Sequence, residues 1–226
     1  MTARPDHTID GQRLARFAFV VIAAIYWLSI WLSPFAGNWI FKFTPMLIAA
    51  WVLFRVLEHP MATLMSIGFV AAAIGDIFLA LDRGDYFIYG LSAFLVTQIA
   101  FASAFFACGR RFANRWLWWL PALLLGIGLF VLMRPQLSDL LIPVAVYILA
   151  LLVMVIAASR VEEKPGKLYA GALLFLVSDA LIGIDRFLFS FENALLAIIA
   201  CYFLAQYLIF TGALKAMPRL KADSTG

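Results

Sequence analysis

The chain has 226 residues, of which 65% are hydrophobic and only 13% charged, with a mean hydropathy of +0.98 and a formal net charge of +4. A soluble domain of this length carries about twice that share of charge, so the composition excludes one, and so small a net charge is no sign of nucleic-acid binding. Two histidines, His7 and His59, exclude a zinc site built from several of them, and two cysteines, Cys108 and Cys201, lie in or beside apolar runs and suggest packing rather than a disulfide framework.

Apolar stretches recur along the whole length and predict an all-α polytopic membrane protein of eight spans. Each has about 17–23 residues, enough to cross a hydrocarbon core at 1.5 Å rise per residue. Residues 1–14 mix Arg4, Asp6, Asp10 and Arg13 ahead of a long apolar run without a small-residue cleavage pattern, so span one (15–33) reads as permanent rather than as a cleaved signal. Pro34 and Gly37 lead to span two (41–57), with Asn38, Lys42 and Thr44 at its start. After His59-Pro60, span three (61–82) carries Gly75-Asp76 and ends on Asp82-Arg83. Gly84 introduces span four (86–107), with Gln98 near its middle. Gly109 precedes span five (116–133), and Arg134-Pro135 separates it from span six (138–159). Lys164-Pro165-Gly166 opens span seven (167–188), which carries Ser178-Asp179 and Asp185-Arg186. Span eight (193–215) holds Gln206, and residues 216–226 form a tail. No connection has room for a soluble domain, so the chain is expected to be one membrane domain. Trp27, Trp31, Trp39, Trp116, Trp118 and Trp119 suit an interfacial aromatic belt; Tyr86, Tyr89, Tyr202 and Tyr207 stay open between packing and function.

With eight spans, thirteen of the seventeen lysines and arginines fall on the side of the termini, and Lys42, Arg83, Arg134 and Arg186 on the other. The positive-inside rule then places both termini in the cytoplasm, and the expected location is a bacterial cytoplasmic (inner) membrane. Spans three and seven run the same way, and their motifs match: Gly75-Asp76 with Asp82-Arg83, Ser178-Asp179 with Asp185-Arg186. Gln98 and Gln206 follow in the next spans. This is the pattern of a parallel repeat of two four-helix halves, though little other identity joins them.

The acids are the informative residues. An ionisable group at membrane depth costs roughly 2.5–3.5 kcal/mol even on mild insertion scales, so Asp76 and Asp179 together cost an amount comparable to the whole net stability of many proteins. Each lies six residues before its companion acid, about 9 Å below the end of its span and roughly 240° around the helix. Asp76 and Asp179 facing one another across the bundle would supply one acid and one carboxylate, the equipment of general acid–base catalysis; a buried helix-to-helix hydrogen bond is the plainer reading. Asp82 and Asp185 most simply mark the interface, where Arg83 and Arg186 snorkel. Gly75 and Ser178 serve close helix approach or, for Ser178, a bond to the carboxyl. Gln98 and Gln206 can orient a carboxyl or a water, or tie helices together. Lys42 can neutralise a carboxylate, hold a phosphate, or snorkel. There is no phosphate-binding glycine loop, no Gly-x-Ser-x-Gly elbow and no histidine within a span to serve a catalytic serine.

Lys42 opening span two, Gly75-Asp76, Gly90-Leu91-Ser92-Ala93-Phe94-Leu95 leading to Gln98, Ser178-Asp179 with Asp185-Arg186-Phe187, and Asn193 followed by Tyr202-Phe203-x-x-Gln206-x-Leu208-Ile209 occur in an order and spacing that resembles the YhhN-like family of membrane proteins, which includes the lysoplasmalogenases. The resemblance spans nearly the whole chain. It departs in two places: the family often has His where Gln98 stands, and adjacent Lys-Pro where this chain has Lys42-Phe43-Thr44-Pro45.

The resemblance implies a hydrolase that cleaves the vinyl ether bond of a lysophospholipid drawn from the bilayer, giving a fatty aldehyde and glycerophospho-ethanolamine or -choline. Asp76 and Asp179 would be the catalytic pair, with no metal and no cofactor. Lys42, Gln98, Gln206, Ser178, Asp82 and Asp185 would surround the substrate. The acid-lability of vinyl ethers fits carboxyl chemistry on independent grounds. The competing expectation is a small proton-coupled transporter or lipid carrier, since midplane carboxyls and repeats serve transport too. Unbroken helices at spans three and seven, and a pocket that does not continue to both sides, would favour the enzyme.

Overall fold

The computed structural model describes residues 7–32, 35, 37–81, 84–109, 116–162 and 164–218. Eight helices run through them: α1 (His7–Leu32), α2 (Trp39–Val56), α3 (Met61–Leu81), α4 (Phe87–Ala107), α5 (Trp116–Met133), α6 (Leu141–Arg160), α7 (Gly166–Gly183) and α8 (Ala194–Ala216). All eight are long and apolar enough to cross a membrane, and the protein is an integral membrane protein. Two short 3-10 turns, Arg134–Gln136 and Ser138–Leu140, carry the chain from α5 to α6, with Pro135 ending the first helix. Gly37 takes φ +84° and Asn193 φ 61° at the entries to α2 and α8, left-handed positions that Gly and Asn tolerate best.

Six helices close a ring in the order α2, α3, α4, α6, α7, α8, with α1 laid over α2 and α8 and α5 over α6 and α7. The two halves are not packed alike: α4 lies extensively against α6, while α8 meets α2 more lightly. The 4+4 repeat therefore remains an expectation. Lipid tails give helices no hydrophobic reason to associate, so close approach and interhelical hydrogen bonds must hold the ring. Small residues supply the approach. A Cβ at Gly68 or Gly75 would run into Phe101 or Phe94 of α4, and one at Gly171 would lie 2.9 Å from the Ala205 carbonyl oxygen of α8. Hydroxyls supply the bonds. Ser66 donates to the Ala50 carbonyl (3.0 Å), Thr97 to Gly68 (3.0 Å) and Ser178 to Ile198 (3.1 Å), each contributing about 0.6 kcal/mol by the average for such bonds. Trp27 and Trp119, grouped by sequence with the aromatic belt, also pin helices: their N–H groups donate to the Leu196 carbonyl and the Ser159 hydroxyl.

Alternating helices bring the α2–α3, α4–α5 and α6–α7 connections to the side of the termini. There Glu58 bonds Pro218, and Glu162 bonds Cys108. Span three is one unbroken α-helix. Span seven is not: α7 is regular to Gly183 and then opens into a π turn, Ile184–Leu188, closed by the Phe189 N–H on the Ile184 carbonyl at 3.0 Å.

Candidate active site

Asp76 lies on α3 one and a half turns before its end, with Gly75 beside it. Gly75 is a packing residue, because an added Cβ would sit 2.8 Å from the Phe94 ring. Phe94 in turn packs edge-on to Tyr202 of α8 and Phe175 of α7. The Asp76 carboxyl is almost wholly buried (1% exposed) and meets two other helices. Lys42, one turn into α2, places its ammonium 3.3 Å from Oδ1 and also donates to the Asp76 backbone carbonyl at 3.3 Å. The Tyr202 hydroxyl donates to Oδ2 at 2.7 Å. Lys42 is itself 3% exposed, so a buried charge faces its counter-charge, the arrangement that makes burial tolerable.

Asp179 occupies the corresponding place on α7 with different company. The Tyr147 hydroxyl of α6 donates to its Oδ2 at 2.6 Å, and Asp179 has no ion pair among the described residues. No hydrogen bond joins the two acids, which share a cavity rather than a contact. Gln98 approaches the Tyr147 hydroxyl and Gln206, one turn beyond Tyr202, approaches that one. Neither closes hydrogen-bonding geometry, and all four amide heavy atoms are buried and unpaired.

Two cavities meet at Asp179. The polar one, about 180 Å³, is bordered by Lys42, Asp76, Ser178, Asp179 and Tyr202, with Asp185 and Arg186 toward the end of span seven. The apolar one, about 60 Å³, is bordered by Leu91, Leu125, Leu129, Met133, Val144 and Tyr147 among others, with Asp179 again in its wall. Asp179 and Asp185 are separated by roughly 240° on a regular helix, yet both border the polar cavity, because Ile182 lies midway on the remaining arc and borders it too. Of the acids singled out in the sequence, Asp82 lies outside the described residues.

The match to known proteins decides the family: residues 37–213 match the YhhN family. The chain belongs to the YhhN family. It is 31% identical to lysoplasmalogenase TMEM86A of Bos taurus, over 92% of this chain and 90% of that protein. It is 29% identical to lysoplasmalogenase TMEM86B of Homo sapiens, over 91% and 88%. To the lysoplasmalogenase of Mycobacterium bovis it is 34% identical, over 62% and 56%. No solved structure matches the chain.

In this YhhN-family protein, Lys42, Asp76, Ser178, Asp179 and Asp185 come together around the polar cavity, while Gln98 and Gln206 stand behind the tyrosines rather than in a cavity wall. Sequence reasoning does not single out Tyr147. Its signal was available: between Leu141 and Ala158 it is the one side chain with a hydroxyl or charge, and a tyrosine buried so deep in an apolar span needs a partner for its O–H.

Proposed function

We propose that this protein hydrolyses the vinyl ether bond of lysoplasmalogen-type lysophospholipids, taking substrate from the bilayer and releasing a fatty aldehyde and glycerophospho-ethanolamine or -choline. Relatives named lysoplasmalogenase support the substrate class. One observation carries the chemistry: two carboxyls, Asp76 buried and Asp179 half-buried, border one cavity, and among the described residues only Asp76 has an ion-pair partner. Lys42 balances a negative charge at Asp76. Asp179, held among the described residues by a phenol, is half-buried against apolar walls and is spared an uncompensated charge there by keeping its proton. Lys42 is thus spent on a carboxylate, which favours the first of the roles its position offered over phosphate binding.

The steps follow from this division. Asp179 gives its proton to the β-carbon of the vinyl ether; the double bond becomes a single bond and an oxocarbenium forms at the carbon bearing oxygen. The Asp76 carboxylate stabilises that cation and takes a proton from the water that adds to it. In the resulting hemiacetal, Asp76 returns its proton to the glycerol oxygen as the C–O bond breaks, and Asp179 recovers one from the hemiacetal hydroxyl. Substrate plus water become aldehyde plus alcohol, and both carboxyls end as they began, in a scheme that uses neither metal nor cofactor. Gln98 and Gln206 place water through the two tyrosines, while Ser178 and Asp185, together with Asp82, surround the substrate.

The π turn in span seven does not favour the enzyme over a carrier, so the case against a carrier rests on the path through the bundle. Toward the side of the termini, Phe69, Phe101, Phe105 and Phe210 are fully buried in a chain of ring contacts, an apolar plug across any polar path. With both termini in the cytoplasm of a bacterium, the polar cavity would open in the outer half of the cytoplasmic membrane. The test is aldehyde release from 1-alkenyl-glycerophosphoethanolamine and its choline counterpart by purified, detergent-solubilised protein. Release by the wild type, lost in folded Asp76→Asn and Asp179→Asn, is expected. A folded wild type that releases none from either headgroup overturns the proposal in favour of lipid transport.

A further inference from the structure

The π turn Ile184–Leu188 ends α7 at the rim of the polar cavity. Such turns are rare and recur at functional sites. This one carries Arg186. Its guanidinium carbon lies 4.0 Å from the centroid of the Phe87 ring at the start of α4 and 5.8 Å from that of Phe187, and the two rings pack edge to face. Phe87 is buried and borders both cavities. The arginine is therefore exposed on one face and held flat on the other by cation–π contact. Among the described residues the polar cavity has one further cation in its wall, Lys42, which faces Asp76.

Across Asp179 the walls change character. On one side stand Leu125, Leu129, Met133 and Val144; on the other, Lys42, Asp76 and Arg186. A molecule that fills both needs a hydrocarbon tail, a reacting bond near Asp179 and an anion beyond it. Arg186 follows Asp179 by seven residues, about 10 Å along the axis, and helical side chains lean back toward the N-terminus, which shortens the gap.

We propose that Arg186 is the residue that recognises the phosphate ester of the substrate, with the single hydrocarbon chain lodged in the apolar cavity behind Asp179. This rests on the hydrolase reading above. A guanidinium offers five N–H donors in a plane, enough to take two phosphate oxygens while keeping contacts within the protein. Arg186 is then a specificity-determining residue and leaves the proton chemistry to the acids.

The experiment compares three substrates with one alkenyl chain: 1-alkenyl-glycerophosphoethanolamine, 1-alkenyl-glycerophosphate and 1-alkenyl-glycerol. The wild type is expected to prefer the two phosphate esters. In Arg186→Gln the kcat/KM ratio of phosphate-bearing to phosphate-free substrate should fall about 10- to 100-fold, the worth of a hydrogen bond to a charged group, with the change in KM. Arg186→Lys should fall between, and Phe87→Leu, which removes the platform and keeps the charge, should shift the same ratio in the same direction. A ratio unmoved in Arg186→Gln, or a loss that lies in kcat for all three substrates, overturns the assignment. Binding of non-cleavable 1-alkyl-glycerophosphoethanolamine, weakened in Arg186→Gln, tests the inference without turnover and so separates its failure from that of the hydrolase reading. Equal competition by chain-free glycerophosphoethanolamine would mark a soluble phosphate ester as the ligand and overturn the lipid assignment.

Discussion

Asp76 and Asp179 stand in matching motifs, at matching places on two helices that run the same way, and the protein surrounds them differently. Asp76 is met by an ammonium and a phenol, and Asp179, among the described residues, by a phenol. Each phenol comes from a helix outside the motif, α8 for Asp76 and α6 for Asp179. Likeness of motif is thus no guide to likeness of role: charge compensation is set by which neighbour the ring of helices brings alongside. The sharpest way to break the comparison is to remove each carboxyl's proton chemistry. Asp179→Asn takes away the proposed proton donor and should lower kcat about 10²- to 10⁴-fold, the ordinary worth of a general acid. Asp76→Asn should lose activity on the same scale while leaving Lys42 buried without its partner. Aldehyde release by each variant measures the first effect, and thermal unfolding in detergent should show the second protein, not the first, as strongly destabilised.

Lys42 makes the next largest test. Removing one member of a buried ion pair costs about 3–5 kcal/mol, because the other charge is left uncompensated. Lys42→Met should therefore lower thermal stability markedly and impair turnover, since Asp76 can no longer be kept as a carboxylate. The double variant Lys42→Met/Asp76→Asn removes both charges and should regain much of the lost stability and none of the activity. If the two changes add instead of cancelling, the pair is not the compensated unit on which the division of roles depends.

The spans and the conspicuous acids were legible in the sequence, for physical reasons that can be named. Twenty apolar residues have few alternatives to a membrane helix, and an aspartate inside one is costly enough to be conspicuous. The sequence also left three readings of Lys42 open and could not choose, because the choice depends on α2 lying against α3 at one register. The π turn was illegible: Gly183-Ile184-Asp185-Arg186 continues the pattern of α7, and the extra residue per turn shows only in the Phe189-to-Ile184 bond. Tyr147 was passed over for a different reason. It is the one hydroxyl in the apolar stretch from Leu141 to Ala158, but tyrosine is common near membrane interfaces, and its partner, Asp179, comes from another helix. The division of space into a polar and an apolar cavity likewise depends on side chains from seven of the eight helices and has no local signature.

The smallest effects carry the finest test of the asymmetry. Tyr202 and Tyr147 each donate one short hydrogen bond to an aspartate, at 2.7 and 2.6 Å, and on geometry alone Tyr202→Phe and Tyr147→Phe should cost the same. The charge states separate them. A hydrogen bond to a charged group contributes about 1.5–3 kcal/mol and one between neutral groups about 0.5–1.5 kcal/mol. If Asp76 is the carboxylate and Asp179 the acid, Tyr202→Phe destabilises by roughly 1–2 kcal/mol more than Tyr147→Phe, read as the difference between their thermal unfolding curves in one detergent. The order should vanish in an Asp76→Asn background, where Tyr202 faces a neutral amide. An equal cost for both phenylalanines in the wild-type background would mean the two acids share one charge state, and the assignment of donor and carboxylate would fall while the hydrolase activity could stand.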